Sequence, residues 1–176
     1  LTEELSLSAT IAIEQLYDNL DGDSASCAEL AALLSSLANV PIKQYIGITG
    51  SVNQFGEIQA IDGVNAKIEG FFAICKQRGL SGKQGVAIPA VNVQNLMLNE
   101  EVVAAAEQGL FHIYPVKHVD ELMILLTGLP SGTRNAKGFF PKNTLNAKIE
   151  YALLNYAKCL KRRRLPSRPA KPKAKV

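Results

Sequence analysis

Ser24 and Lys67 are the residues whose types and surroundings point most directly to covalent chemistry. Lys67 occupies one position of a helical apolar stripe, whose other members are Val64, Ile68, Phe71, Phe72 and Cys75. We therefore expect the lysine side chain to point toward the core. A lysine amine has a pKa of about 10.4 in water, and burial favours its neutral form, which can take a proton from a hydroxyl. The alternative is that the stem lies on apolar surface while the ammonium reaches water.

Ser24 stands at the predicted start of an earlier helix, directly after the turn residues Asp21-Gly22-Asp23. It shares a helix face with Cys27, so the hydroxyl is expected on the interior side. The first N–H groups of a helix are unpaired and lie at the positive end of its dipole, so they can stabilise the oxyanion of a tetrahedral intermediate. The alternative is that Ser24 or Asp23 only caps the helix.

The elements that must position these two residues follow from periodicity and turn residues. Alternation and short apolar runs predict strands near 5–13, 45–50, 52–58, 85–89 and 111–116, of which 52–58 is a hairpin strand with a break at Gly56. Three- and four-residue spacing predicts helices near 24–38, 64–78, 100–108, 119–127 and 144–161. This order predicts an α/β (α+β) domain with mixed small sheets packed by helices.

The charge pattern separates the end of the chain from the rest. From Lys158 onward there are nine basic residues and no acid, which leaves ten basic and sixteen acidic residues, or about −6, before that point. We predict a domain over 1–128, a Gly-, Pro- and Ser-punctuated linker over 129–142, a C-terminal helix over 143–163 and a disordered basic tail over 164–176. The acidic body is not typical of a nucleic-acid-binding domain.

The cysteines and the lengths of the apolar runs limit which cellular compartment and which other site chemistries fit this chain. Cys27, Cys75 and Cys159 are widely spaced, so we expect reduced thiols and no metal site, with a cysteine nucleophile as a minor alternative. An odd number of cysteines without framework spacing favours a reducing, cytoplasmic location. No apolar run approaches about eighteen residues, so we expect no membrane span. Because the chain starts at Leu1, we interpret it as a piece of a longer polypeptide.

Several ordered motifs resemble the proteolytic domain of Lon proteases, most closely their Lon-like bacterial and archaeal branch. The nucleophile motif of that family resembles the run Asp21-Gly22-Asp23-Ser24-Ala25-Ser26. Its Thr-Gly strand end and the start of its lysine-bearing helix resemble Ile48-Thr49-Gly50-Ser51 and Ile61-Asp62-Gly63-Val64-Asn65-Ala66-Lys67. The 43 residues from Ser24 to Lys67 match the family spacing, and the likeness spans 5–128. The commoner motif has Pro and Gly where this chain has Asp23 and Ser26.

The resemblance implies a serine-type endopeptidase with a Ser–Lys dyad, Ser24 as nucleophile and Lys67 as base. It makes Thr49 a candidate to orient the amine and Asp21 a candidate to shape the turn, while Asp23 brings a carboxylate beside the nucleophile. Cleavage itself then needs no metal or organic cofactor.

The resemblance also implies partners beyond this chain. Lon-type enzymes degrade unfolded or damaged proteins that an AAA+ ATPase delivers, as a homo-oligomeric ring. ATP and Mg²⁺ belong to that upstream ATPase domain, since Ser81-Gly82-Lys83-Gln84 lacks the spacing of a phosphate-binding loop.

Two other functions stay open. One is a catalytically inactive, protease-like scaffold or assembly domain. The other is binding of nucleic acid or another anionic partner through the basic tail, against which the tail has no aromatic residues for stacking.

Overall fold

The computed structural model describes residues 22–164, with only the backbone described for 162–164. The predicted strand near 5–13, the candidate residue Asp21 and the basic tail from residue 165 onward lie outside the described residues.

Five helices and five short strands make up the described chain. The strands are β1 (Ile46–Ile48), β2 (Ser51–Val52), β3 (Ile58–Gln59), β4 (Gly85–Pro89) and β5 (His112–Val116). The helices are α1 (Ser26–Ala38), α2 (Val64–Arg78), α3 (Glu100–Glu107), α4 (Val119–Thr127) and α5 (Leu145–Arg164), with a 3₁₀ helix over Ala90–Asn95. Within residues 22–164, no helix is both long and apolar enough to cross a membrane.

A parallel three-stranded sheet with the order β1-β4-β5 forms the centre of the molecule. Every residue of β4 is buried, as expected for a central parallel strand with helices on both faces. Its side chains alternate, so that Val86 and Ile88 pack with α2 and α3, whereas Ala87 packs with α1, α4 and α5. The predicted mixed α/β class, with small sheets packed by helices, is confirmed.

A second, two-stranded antiparallel sheet pairs β2 with β3. We predicted a hairpin strand with a glycine break over 52–58; the structure has two short strands there, because the chain reverses within that range. The side chain of Asn53 drives the reversal, because its Oδ1 accepts hydrogen bonds from the N–H groups of Phe55 (2.9 Å) and Glu57 (3.0 Å). Gly56 follows in a left-handed conformation (φ 84°) that favours glycine.

The 3₁₀ helix after β4 was not predicted, and it fixes the loop that leads into α2. Asn92 is buried in it and bonds the backbone of Ile61 twice, accepting from the N–H at 3.0 Å and donating to the carbonyl at 2.9 Å. This pairing satisfies a buried amide and sets where α2 begins.

The C-terminal helix α5 packs against α1, and its first residue, Leu145, is buried in the same core as Cys27. The preceding segment is attached to the body as well: the Ser131 hydroxyl donates to the Asp120 carbonyl oxygen at 2.8 Å, and Arg134 pairs with Glu150 at 2.9 Å. The division into a domain over 1–128, a linker over 129–142 and a helix over 143–163 stays a prediction.

Candidate active site

The fold brings Ser24 and Lys67 together from two different helices. Lys67 Nζ donates a hydrogen bond to Ser24 Oγ over 2.7 Å. A nucleophilic hydroxyl and an amine at this separation meet the geometric requirement for proton transfer between a serine and a lysine base.

Ser24 is held in a tight turn that precedes α1 by backbone contacts with Gly50. The Gly50 N–H donates to the Ser24 carbonyl oxygen at 2.9 Å, and the Cys27 N–H donates to the Gly50 carbonyl oxygen at 3.2 Å. The helix begins at Ser26, two residues later than predicted, and its N-cap residue Ala25 makes no side-chain cap hydrogen bond. Neither Ser24 nor Asp23 is therefore the N-cap residue, and the Ser24 hydroxyl faces Lys67 instead.

Lys67 lies one turn into α2, and its position is set by the start of that helix. Gly63 precedes α2 in a left-handed conformation (φ 67°), and its carbonyl oxygen accepts from the Lys67 N–H at 3.1 Å. Val64 and Ile68 on either side are buried and fix the rotation of the helix.

The prediction that Lys67 points into the core is wrong, because this residue is exposed. The apolar stripe of α2 is wider than the buried face, and the position of Lys67 lies at its edge together with the half-buried Phe71. That edge borders the surface clefts next to Ser24, so the Lys67 side chain reaches the Ser24 hydroxyl while its amine stays exposed to solvent.

Two clefts meet at the Ser24–Lys67 pair. A polar cleft of about 430 Å³ lies on one side, lined by Gly22, Asp23, Ser24, Ala60, Ile61, Asp62 and Lys67. A second cleft of about 390 Å³ has mostly apolar walls and is lined by Ser24, Ala25, Ala28, Gly47, Ile48, Thr49, Lys67, Phe71 and Val86. An extended chain crossing the pair can therefore place groups in both clefts.

Two of the three supporting candidates can be located. Thr49 is buried beside the pair, where its hydroxyl donates to the Ser24 carbonyl oxygen at 3.5 Å, a long contact that supports the backbone of Ser24. Asp23 accepts a hydrogen bond from the Ser51 hydroxyl. Gly50, Ser51 and Asp62 also lie at the site, and they were not predicted as site residues. The first two directly follow Thr49 in the Thr-Gly motif, which was the available signal.

The nearby thiol of Cys27 is not set up as a nucleophile. Burial, and to a lesser degree the negative charge of Asp23, raise the pKa of this thiol to about 11. A thiol with so high a pKa stays protonated near neutral pH, whereas the thiolate is the reactive form. Cys27 and Cys75 are buried free cysteines, as predicted.

Comparisons with known proteins give a consistent family assignment. The family model described as the Lon protease (S16) C-terminal proteolytic domain matches residues 19–128. A Lon protease homolog of Escherichia coli (strain K12) is 54% identical over 129 residues, covering 73% of this chain and 22% of that protein. An archaeal Lon protease of Methanocaldococcus jannaschii is 36% identical over 119 residues, covering 68% of this chain and 16% of its own length. The chain spans about a fifth of the length of these relatives.

Proposed function

Because the chain belongs to the Lon protease family, we propose that it is the peptide-cleaving part of a serine endopeptidase in which Ser24 is the nucleophile and Lys67 its general base. The observation that carries this proposal is the 2.7 Å contact between Lys67 Nζ and Ser24 Oγ. Both residues also line both clefts, so a bound peptide is in reach of the hydroxyl.

The proposed reaction uses the lysine first as a base and then as an acid. The unprotonated amine of Lys67 takes the proton of the Ser24 hydroxyl while Oγ attacks the scissile carbonyl carbon. The resulting ammonium gives this proton to the leaving amine, and water then hydrolyses the ester on Ser24 with the lysine again as base. A peptide lying in the clefts covers the exposed amine and excludes water from the reacting groups.

The backbone around Ser24 offers donors for the oxyanion. The Ser26 N–H already donates to the Asp23 carbonyl oxygen (3.0 Å), and the Cys27 N–H donates to the Gly50 carbonyl oxygen. The N–H groups of Ser24 and Ala25 have no acceptor among the described residues. We assign the oxyanion hole to these two groups, because donors held in place before the reaction stabilise charge that develops in the transition state.

The mostly apolar cleft is proposed to receive an apolar side chain of the substrate next to the scissile bond. Replacing Ala28 by Leu narrows this cleft. We therefore expect kcat/KM to fall about tenfold for peptides that have Leu or Phe next to the scissile bond, while peptides with Ala at that substrate position are cleaved nearly as before. A panel of fluorogenic peptides measures the ratio. Ala32→Leu on the exposed face of α1 is the matched control; an equal loss with every peptide in Ala28→Leu contradicts the assignment.

Covalent capture tests the nucleophile directly, without a peptide substrate. A fluorophosphonate reacts with activated serines, so we expect one adduct by intact mass, mapped to Ser24 by peptide mass spectrometry. Ser26→Ala, two residues along the same turn, should be labelled like the unsubstituted chain. Absence of labelling, or an adduct that persists in Ser24→Ala, contradicts the proposal and favours the scaffold function.

The whole protein is proposed to be an ATP-dependent protease. In this proposal an AAA+ ATPase, supplied by an upstream part or another chain, binds ATP and Mg²⁺ and delivers unfolded or damaged proteins. Homo-oligomers form a ring around the proteolytic sites. We place the assembly in the cytoplasm, because the described cysteines are free thiols suited to a reducing compartment.

A further inference from the structure

A carboxylate lies immediately beside the proposed nucleophile and is held by a serine from the neighbouring sheet. The Ser51 hydroxyl donates a hydrogen bond to Asp23 Oδ2. Asp23 directly precedes Ser24 and lines the polar cleft together with Lys67. Ser51 itself is 4% exposed, so this contact is shielded from solvent on the serine side.

The position of Ser51 is fixed by the β2–β3 sheet. Ser51 pairs with Gln59, and the neighbouring Val52 pairs with Ile58. Val52 also donates its N–H to Ser26 Oγ at 3.1 Å, which ties β2 to the first turn of α1. The donor that holds Asp23 is therefore on a strand attached at both edges, which makes it a rigid anchor.

An unanchored carboxylate at position 23 would oppose the reaction in two ways. Its negative charge would repel the oxyanion that forms on the carbonyl attacked by Ser24, and this repulsion grows when a bound peptide excludes water from the clefts. It could also pair with the Lys67 side chain and draw the amine away from the Ser24 hydroxyl. A hydrogen bond from Ser51 restrains the carboxylate and reduces both effects.

We propose that Ser51 is a positioning residue of the proposed peptidase, whose hydroxyl holds the Asp23 carboxylate against β2 and away from the oxyanion and from Lys67. The negative charge of Asp23 also acts toward the core, since it adds to the effect of burial in raising the pKa of the Cys27 thiol. This inference rests on the proposed dyad and adds to it a residue that contacts neither Ser24 Oγ nor Lys67 Nζ.

A double-mutant cycle on the full chain separates this role from a structural one. We expect Ser51→Ala to lower kcat for a fluorogenic peptide about tenfold with KM changed less than about twofold, because the free carboxylate acts on the transition state. In an Asp23→Asn background the same Ser51→Ala change is expected to cost less than about twofold, because no charge is left to restrain. An equal cost in both backgrounds overturns the proposal.

Ser26→Ala is the matched control for the strand. It removes a hydroxyl that ties β2 to α1 but does not contact the Asp23 carboxylate, so its effect is expected to be the same with or without the Asp23→Asn change. If Asp23→Asn rescues Ser26→Ala as it rescues Ser51→Ala, the effect is one of strand stability and the proposal is wrong.

Binding of a peptide boronic acid gives a readout that needs no turnover. Boron becomes a tetrahedral anion on a reactive serine, so Ser51→Ala is expected to weaken binding about tenfold when Asp23 is present and less than about twofold in the Asp23→Asn background. Unchanged binding in Ser51→Ala overturns the role of Ser51 alone. Failure of the unsubstituted chain to bind in a Ser24-dependent way overturns the proposed function, and the inference with it.

Discussion

Replacing Ser24 by Ala is expected to lower kcat/KM for peptide hydrolysis about 1,000-fold or more, to the level left by binding and the oxyanion hole alone. The change removes the atom that forms the acyl intermediate, while the backbone contacts of residue 24 with Gly50 remain. The thermal unfolding midpoint should therefore stay close to that of the unsubstituted chain. Initial rates with a fluorogenic peptide and a thermal melt measure both quantities.

The control for this experiment is the oligomeric state. An enzyme loses hydrolysis in Ser24→Ala and keeps its assembly, as measured by size-exclusion chromatography with light scattering. If Ser24→Ala retains the original rate, the hydrolysis arises elsewhere and Ser24 is not the nucleophile.

The pairing of Ser24 with Lys67 could be anticipated from the sequence, whereas the exposure of Lys67 could not. Periodicity identifies the face of α2 that carries Val64, Ile68 and Phe72, and all three are buried. It does not say which edge of that face meets a neighbouring helix and which meets a cleft. The packing of α2 against the turn at Ser24 decides which edge borders a cleft, and it leaves the Lys67 side chain exposed to solvent.

The anchoring of the site depends on contacts that join distant parts of the chain. Ser51 and Asp23 are 28 residues apart, and Asn92 bonds a loop 31 residues away. Neither the contact of Ser51 with Asp23 nor the 3₁₀ helix of Asn92 was predicted, because a single polar side chain contributes nothing to hydrophobic periodicity. Such residues are recognised only once their partners are known, since burial requires that each be satisfied.

The hairpin of β2 and β3 depends instead on a local side chain. Long apolar runs such as β4 and the apolar faces of α1 and α2 were placed within about two residues, which is the usual uncertainty at element ends. The segment 52–58 was predicted as a hairpin strand with a glycine break and not as two paired strands, because Val52 and Ile58 both have strand propensity; the hydrogen bonds of the Asn53 side chain reverse the chain between them. Turn chemistry overrode propensity at this position.

Substitution of Lys67 is expected to have a second large effect and to reveal how the amine acts. Lys67→Met keeps most of the length of the stem beside the apolar cleft but removes the base, so kcat should fall about 1,000-fold. Lys67→Arg keeps the positive charge, yet a guanidinium is not deprotonated in proteins and cannot accept the hydroxyl proton. We therefore expect Lys67→Arg to be as inactive as Lys67→Met in steady-state peptide hydrolysis.

The two substitutions together distinguish a base from a merely electrostatic partner. If Lys67 served only to place a positive charge near the oxyanion, Lys67→Arg would keep much of the rate and Lys67→Met would not. If the hydroxyl and the amine act as one unit, the double variant Ser24→Ala with Lys67→Met should be no slower than either single variant, because removing one member already disables the other. Additive losses in that double variant would mean that the two residues act independently, in spite of the 2.7 Å between them.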